Sequence, residues 1–300
     1  MLWIFYGSAL LFLVLSGYKA YVFAKMPLHG RMELYPVPKE KGKSEYGGSY
    51  FEEVEWWRKP RELSGTGELK DMFKEMLFIK KLFQNQRSLW WVSYALHLGI
   101  YFLAAWTVLL IIGALSGLAG MPISAGGRLL PGAWPAVLYY LTALCGNLGF
   151  ACATFGAAAL LWRRAFDPVL RKYTTPQEYF NLLLLLAALV SGLIVWLPDI
   201  FYQEARTVMA DFLSLTPPQA TGALTLHVIL AGFMFIYIPL SKMSHYVGKY
   251  FTFHKVLWEN DPNLPGSAIE KKVQAALGYK PGHAWSAPHV QTVRPQNQDR

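Results

Sequence analysis

Five long apolar blocks, separated by polar segments, dominate the hydrophobic pattern of the chain. They run from Leu2 to Ala24, from about Leu89 to Leu118, from Trp134 to Trp162, from about Tyr179 to Leu197 and from about Gly222 to Tyr246. A helix needs about 20 consecutive apolar residues to cross a bilayer core that is roughly 30 Å thick. The pattern therefore predicts an all-α integral membrane bundle of five transmembrane helices, with the lipid bilayer as its solvent.

The composition agrees with a membrane protein. Of the 300 residues, 54% are hydrophobic and 16% are charged, and this apolar share exceeds what one water-soluble core requires. A net charge of +9 would suggest nucleic acid in a soluble domain, but here the basic residues lie between the apolar blocks, so no nucleic-acid partner is expected. Cys145 and Cys152 share one apolar block, which excludes a disulfide framework and a CxxC metal motif.

The distribution of basic residues predicts the topology. The segment 26–88 is strongly basic, and further basic residues follow the third and fifth blocks: Arg163, Arg164, Arg171, Lys172, Lys242, Lys249 and Lys255. Cytoplasmic loops carry an excess of Lys and Arg, so these segments are expected in the cytoplasm and the N-terminus outside. The first block has Lys19 and Lys25 at its far end, the reverse of a cleavable signal peptide, and is expected to be an uncleaved anchor.

These features divide the chain into four predicted segments. Residues 1–25 form the first transmembrane helix, and residues 26–88 form a cytoplasmic basic insertion. Within that insertion, the apolar spacing of Leu69–Phe83 predicts an amphipathic helix on the membrane surface or against a partner, with a solvated loop as the alternative. Residues 89–246 form a four-helix transmembrane bundle. Residues 247–300 form a turn-rich cytoplasmic tail, which is expected to lie extended on a partner or to be disordered.

Three histidines lie inside the predicted helices, where an ionisable residue is costly and is a functional candidate. His97 lies in the second helix, and His227 and His245 lie in the fifth, 18 residues apart. That spacing is about five helical turns and roughly 27 Å of rise, which places one histidine near each membrane surface. Imidazoles on facing helices suit the axial positions of haem iron, and depth pairs His97 with His245. The alternative for each histidine is a structural hydrogen bond; for His227 a structural or quinone-related role is favoured.

The segments around these histidines carry a family resemblance. They are Leu96–Ile100, Leu161–Thr175, Leu226–Val228 and Pro239–His245. On these residues the chain resembles the gamma, or cytochrome b, subunit of membrane-bound respiratory nitrate reductase, over roughly Trp90–Phe253. Its long basic insertion and aromatic tail are more similar to the membrane cytochromes of sulfate reducers and of heterodisulfide-reductase-like complexes.

The resemblance implies an electron-transfer subunit of a quinone:iron–sulfur protein oxidoreductase complex in anaerobic respiration. The quinone implied is menaquinone. The partner implied is a cytoplasmic iron–sulfur subunit of the heterodisulfide-reductase type, with further membrane or periplasmic cytochrome subunits as additional partners. The location implied is the cytoplasmic (inner) membrane of a prokaryote, which the chain crosses several times.

The resemblance also implies how haem is held. Four histidines hold two b haems in that family, and the resemblance makes His97 and His245 the axial ligands of the haem nearer the cytoplasm. The second pair falls on Thr107 and His227. Because a threonine cannot replace an imidazole as a haem ligand, one haem b is expected, with two as the alternative.

Four basic residues are candidates for binding the haem propionates on the cytoplasmic side: Arg87, Lys242, Arg163 and Arg164. Propionates need charge-assisted hydrogen-bond donors at the membrane surface. For any one of these residues the alternative is that it lies there only because cytoplasmic loops are rich in Lys and Arg, and that it does not bind haem. The competing function is a haem-free membrane anchor or a small transporter, although the internal repeats typical of a transporter are not visible in the sequence.

Overall fold

The computed structural model describes residues 1–25, 38–42, 49–125, 128–254 and 261–278. Its elements in chain order are α1 (Leu2–Ala24), α2 (Gly65–Phe78), α3 (Lys80–Asn85), α4 (Arg87–Leu118), β1 (Ser124–Ala125), β2 (Arg128–Leu129), α5 (Ala133–Phe166), α6 (Pro168–Tyr173), α7 (Pro176–Trp196), α8 (Gln203–Leu213), α9 (Gly222–Leu240), α10 (His245–Thr252) and α11 (Ala268–Leu277). The two short strands pair antiparallel as a hairpin.

Five helices of the described chain are long and apolar enough to cross a membrane, namely α1, α4, α5, α7 and α9. This confirms the five predicted helices, and the first matches its predicted range from Leu2 to Ala24. Helix α5 continues past Trp162 to Phe166. It ends there because the Asp167 carboxylate accepts hydrogen bonds from the first backbone N–H groups of α6, and Pro168 begins that helix. These hydrogen bonds lower the pKa of Asp167.

Small residues bring α4 and α5 into close contact. A Cβ added at Gly99 would collide with the backbone of Ala153, and one added at Gly156 would collide with the backbone of Leu96. Ala153 itself is completely buried. Small residues at such positions let helix backbones approach closely in a membrane. Neighbouring helices in the bundle then follow the order α4, α5, α7, α9, α1.

The bundle has two distinct ends. At the hairpin end lie the β-hairpin and α8, and the Tyr6 hydroxyl of α1 donates to the Phe212 carbonyl at 2.7 Å. At the basic end lie α2, α3, α6 and α10, where the ring of Phe23 stacks on that of Phe251 at 6.0 Å. Helix α1 therefore runs from the hairpin end to the basic end.

The fifth apolar block is not one helix up to Tyr246, so that prediction is wrong. Helix α9 ends at Leu240, a 3₁₀ turn covers Lys242–Ser244, and α10 begins at His245. Pro239 in the last turn of α9 lacks an N–H group, and the Ser241 hydroxyl accepts a hydrogen bond from the Met243 N–H at 3.1 Å. His227 and His245 therefore do not lie on one continuous helix, and the predicted rise of roughly 27 Å between them does not apply across the break.

The basic insertion contains the predicted amphipathic helix in two parts. Helix α2 begins after Ser64, whose hydroxyl accepts the Gly67 N–H at 3.1 Å, and it ends at Phe78, because the next residue, Ile79, adopts a left-handed conformation with φ of 51°. The predicted range of Leu69–Phe83 therefore covers most of α2 and most of α3. Buried Glu75 accepts the Lys81 N–H at 2.9 Å and pairs with Lys249 of α10 at 2.9 Å, which attaches the insertion to the bundle.

Several of the described helices were not predicted, and α8 and α11 are the longest of them. Helix α8 lies in the loop between the fourth and fifth apolar blocks, and α11 lies in the tail that was expected to be extended. The Ser267 hydroxyl begins α11 by accepting the Glu270 N–H at 3.1 Å, so the tail is helical over Ala268–Leu277. Trp258, Pro281, Trp285 and Pro288, which supported a docking role for the tail, lie outside the described residues.

Candidate functional site

The structure brings His97 and His245 together at the basic end. His97 lies about three turns into α4, and His245 is the first residue of α10. Their ring centroids are 6.1 Å apart. The pairing expected from depth is therefore present, but it arises from the turn after α9 and not from a continuous helix.

Both imidazoles have the same hydrogen-bonding pattern. His97 Nδ1 lies 2.7 Å from the carbonyl oxygen of Ser93, and His245 Nδ1 lies 3.3 Å from that of Lys242. Because a carbonyl only accepts hydrogen bonds, each Nδ1 carries a proton, and in a neutral imidazole this leaves the Nε2 lone pair available to a metal. Metal-bound histidines use this arrangement, in which the second nitrogen donates to a protein group that orients the ring.

The pair fits the axial positions of a haem. When two imidazoles bind one metal from opposite sides, with each metal–nitrogen bond about 2 Å long, their ring centroids lie about 6 Å apart. The separation of His97 and His245 matches this distance. In the part of the chain that the structure describes, no three His, Cys, Asp or Glu residues form a metal-binding group. His97 and His245 supply the two imidazoles that bis-histidine haem ligation requires.

Helices α2 and α4 are joined by hydrogen bonds close to His97. The Tyr101 hydroxyl, one turn beyond His97, donates to the Met76 carbonyl at 2.6 Å. The Trp90 indole donates to the Phe78 carbonyl at 2.7 Å. The insertion is therefore attached to the same stretch of α4 that carries the histidine.

The predicted propionate-binding arginines of α5 are already engaged by protein groups. Arg163 donates to the Ser88 carbonyl at 2.7 Å and lies 3.7 Å from the Asp167 carboxylate. Arg164 donates to the Thr174 hydroxyl at 3.2 Å. These contacts join the end of α5 to α4 and α6.

The other two predicted propionate-binding residues lie closer in the chain to the histidine pair. The Arg87 guanidinium stacks on the Phe83 ring at 3.6 Å, at the start of α4. Lys242 lies in the 3₁₀ turn, and its carbonyl is the acceptor for His245. Propionate binding by any of the four residues stays a prediction.

His227 lies in a second polar contact, formed with α7. The Ser191 hydroxyl donates to the Ala188 carbonyl at 2.9 Å and lies 3.0 Å from His227 Nδ1. A hydroxyl that donates to a carbonyl can accept from an imidazole N–H, and a neutral His227 with its proton on Nδ1 would have a free lone pair on Nε2. Gly192 provides the space, because a Cβ there would lie 3.0 Å from His227 Cε1.

In the family resemblance the second haem would be held by residues at the positions of Thr107 and His227. Thr107 does not supply a haem ligand. The Thr107 hydroxyl donates to the Leu103 carbonyl of its own helix at 2.9 Å. Next to it, the Trp106 ring lies 6.4 Å from Trp196, which lies 6.0 Å from His227. Further rings pack on Trp106, namely Phe150 at 5.6 Å and Tyr202 at 5.2 Å. One imidazole among aromatic rings does not fit a bis-histidine haem.

Several residues of these contacts were missed by the sequence reasoning. Ser191 is the hydroxyl residue in the otherwise apolar run 182–196, and a lone hydroxyl in such a run is a usable signal for an interhelical hydrogen bond. Glu75 and Lys249 gave no such signal, because their pairing depends on how α2 folds against α10.

Comparison with known proteins identifies the family. No curated protein gives a match to the chain. The sequence profile of the nitrate reductase gamma subunit family matches residues 81–256, which is more than half of the 300 residues and includes His97, His227 and His245. The chain therefore belongs to the nitrate reductase gamma subunit family, whose members are haem b-binding membrane subunits that transfer electrons within multi-subunit complexes.

Proposed function

We propose that this protein transfers electrons between a membrane quinone and a cytoplasmic iron–sulfur subunit, through one haem b held by His97 and His245. The observation that carries the proposal is this pair of imidazoles, 6.1 Å apart between ring centroids, with Nδ1 of both bonded to backbone carbonyls. The quinone is menaquinone, and the partner is of the heterodisulfide-reductase type. The complex lies in the cytoplasmic membrane of a prokaryote.

The residues around the pair favour one tautomer of each imidazole. A haem held by them would supply reversible one-electron transfer. The Ser93 and Lys242 carbonyls accept from Nδ1, so the tautomer that they favour has Nε2 as the metal-binding atom, and the ring is held in a fixed direction. The ion pair between Glu75 and Lys249 holds α10 against the insertion. A fixed ligand geometry means that little of the protein rearranges when an electron arrives or leaves.

His227 is proposed to handle a proton of the quinone reaction instead of binding a haem. Oxidation of a quinol releases two electrons and two protons; a neutral His227 with its proton on Nδ1 would accept one proton at Nε2, and the other proton would pass to water at the membrane surface. Ser191 orients the ring through Nδ1. Asp199 and Glu204 are the candidate acidic partners: Asp199 lies three residues after Trp196, whose ring is 6.0 Å from that of His227, and its carboxylate accepts the Glu204 N–H at 3.0 Å.

The haem assignment is tested by the reduced-minus-oxidised absorption spectrum and pyridine haemochrome content of the purified full-length protein. We expect one haem b per chain in the wild type, loss of haem in His97→Ala and His245→Ala, and full haem content in the control His227→Ala. Two haems in the wild type would contradict the single site. A colourless wild type would leave the haem-free anchor or transporter.

The role of His227 is tested separately by the rate at which a quinol reduces the haem. General acid–base groups contribute about 10²–10⁴-fold to rates, so His227→Ala is expected to slow haem reduction by about that factor at unchanged haem content. Ser191→Ala, which leaves the imidazole but removes its hydrogen-bond partner, is expected to give a smaller loss. Unchanged rates in both variants would remove His227 from the quinone reaction.

A further inference from the structure

Helix α2 carries an exposed apolar stripe at the basic end of the bundle. Leu69, Phe73 and Leu77 recur every four residues and are 49%, 51% and 44% exposed. Residues four apart lie on one face of a helix, so the three side chains form one surface, which we call the α2 stripe. An exposed apolar surface of this kind marks a site of contact with a membrane or with another protein.

Charged side chains flank the α2 stripe. Glu68 and Glu75 pair with basic side chains of α10 and of the residues directly after it, so this side of α2 lies against the bundle. Each residue advances about 100° around a helix, which puts the exposed Lys70 and Lys74 next to the α2 stripe on the side away from α10. The stripe therefore lies between the bundle and a pair of cations, as in a helix that rests on a membrane.

Contacts with α4 fix the depth of the last turn of α2. The Tyr101 hydroxyl of α4 donates to the Met76 carbonyl at 2.6 Å. Helix α4 has 32 residues, and every stretch of about 20 residues within it, the length that crosses the hydrocarbon core, includes Tyr101. Tyr101 therefore lies in the hydrocarbon layer wherever α4 is centred in the bilayer. The last turn of α2, which carries Leu77 of the stripe, lies beside that layer. The exposed ring of Phe78 stacks on that of Tyr94 at 6.3 Å, so apolar surface extends from α2 onto the same helix.

We infer that α2 inserts into the lipid leaflet at the basic end, with the α2 stripe among the acyl chains and with Lys70 and Lys74 at anionic headgroups. The depth of Leu77 favours lipid over a partner subunit, the other surrounding that the sequence leaves open, because a water-soluble subunit does not enter the hydrocarbon layer. The lysines complement the negative surface charge of such a leaflet. This role is separate from electron transfer and does not depend on haem at the histidine pair.

Insertion is tested on the purified full-length protein in nanodiscs of phosphatidylcholine and phosphatidylglycerol. In a Cys145→Ala, Cys152→Ala background, the fluorophore NBD is attached at Leu77→Cys or Phe73→Cys, or at the control Glu62→Cys, whose native side chain is 65% exposed outside α2. We expect the emission at the two stripe positions to shift to shorter wavelength and to lose intensity when the lipid carries a spin label on its acyl chain. The control should show neither change. Thermal melting reports the fold of each variant.

The headgroup contact is tested by comparing spin-labelled phosphatidylglycerol with spin-labelled phosphatidylcholine as quenchers of the fluorophore at Leu77→Cys. We expect phosphatidylglycerol to be preferred, and each of Lys70→Gln and Lys74→Gln to lower that preference up to about fivefold. Lys41→Gln, at a lysine that is 72% exposed outside α2, should leave the preference unchanged.

Three results would overturn the proposal. A fluorophore at Leu77→Cys that stays in water in the nanodisc would leave the α2 stripe free for a partner subunit. Emission at shorter wavelength that spin-labelled lipid does not quench would mean that protein covers the stripe. An unchanged headgroup preference in both lysine variants would exclude Lys70 and Lys74 as the anionic-lipid contact.

Discussion

Tyr202 shows how a single buried group sets a pH dependence for the fold. It is 2% exposed, and its hydroxyl donates to the Asn147 side-chain oxygen at 3.3 Å. Burial, together with the negative charge of Asp199, raises the pKa of Tyr202 from 10.0 to about 12. The folded state therefore favours the neutral phenol, so this contribution to stability is present below pH 10 and is lost as the pH rises towards 12.

We predict that Tyr202→Phe flattens the loss of stability between pH 10 and pH 12, because phenylalanine has no proton to lose. At neutral pH the variant should be less stable by about 1 kcal/mol, since a buried hydrogen bond is removed. Thermal unfolding of the purified protein over this pH range is the measurement. Tyr173→Phe, at a tyrosine that is 80% exposed, is the control. A wild-type pH profile in Tyr202→Phe would contradict the assignment.

At the scale of elements, helix length was predictable from the sequence and helix breaks were not. The length of an apolar block can be counted directly along the sequence, so all five long helices were predicted. The break before His245 depends on a hydrogen bond from Met243 to the Ser241 hydroxyl, and a proline such as Pro239 is tolerated within transmembrane helices. Helix α8 was missed because Arg206 finds its acceptor in Tyr139, far away in the chain.

Because α4 and α5 are in close contact, a methyl group added at Gly99 is predicted to lower the stability of the protein. In Gly99→Ala the new Cβ would meet the backbone of Ala153, so the helices must separate and displace His97, two residues away. Overpacking costs typically about 1–3 kcal/mol, and we expect a lower melting temperature together with weaker haem retention. Gly117→Ala on the same helix, where no atom lies within 4 Å of the new Cβ, should be neutral or slightly stabilising. Equal effects of the two variants would contradict this packing.

Glu75 is predicted to hold the insertion on the bundle. Glu75→Gln loses the ion pair that buried Glu75 makes with Lys249, which costs about 1–3 kcal/mol. The insertion should then be cleaved faster by trypsin at its lysines. The control is Glu62→Gln, because Glu62 pairs with Lys41 through side chains that are 65% and 72% exposed, and exposed pairs contribute little. Identical cleavage rates would mean that other contacts attach α2 to α10.

For the whole molecule, the histidine pair was predictable and its surroundings were not. The position of each histidine within its apolar block predicts its depth in the membrane, and this predicted depth pairs His97 with His245. The three aromatic rings around Trp106, by contrast, come from α5, α7 and the residue before α8, and they are brought together only by tertiary packing. The sequence showed that Thr107 replaces one of the four histidines that hold two haems in the family. It did not show which side chains fill the space next to Thr107.

The orientation of the whole molecule is the last prediction, and it decides which side of the membrane the histidine pair serves. The basic end carries Arg163, Arg171 and Lys172, so it should face the cytoplasm. In a Cys145→Ala, Cys152→Ala background, a thiol introduced as Ala220→Cys near the hairpin end should react with a membrane-impermeant maleimide on intact cells. Lys172→Cys should react only after permeabilisation. The opposite pattern would place His97 and His245 near the outer surface, where a cytoplasmic iron–sulfur subunit could not exchange electrons with a haem held between them.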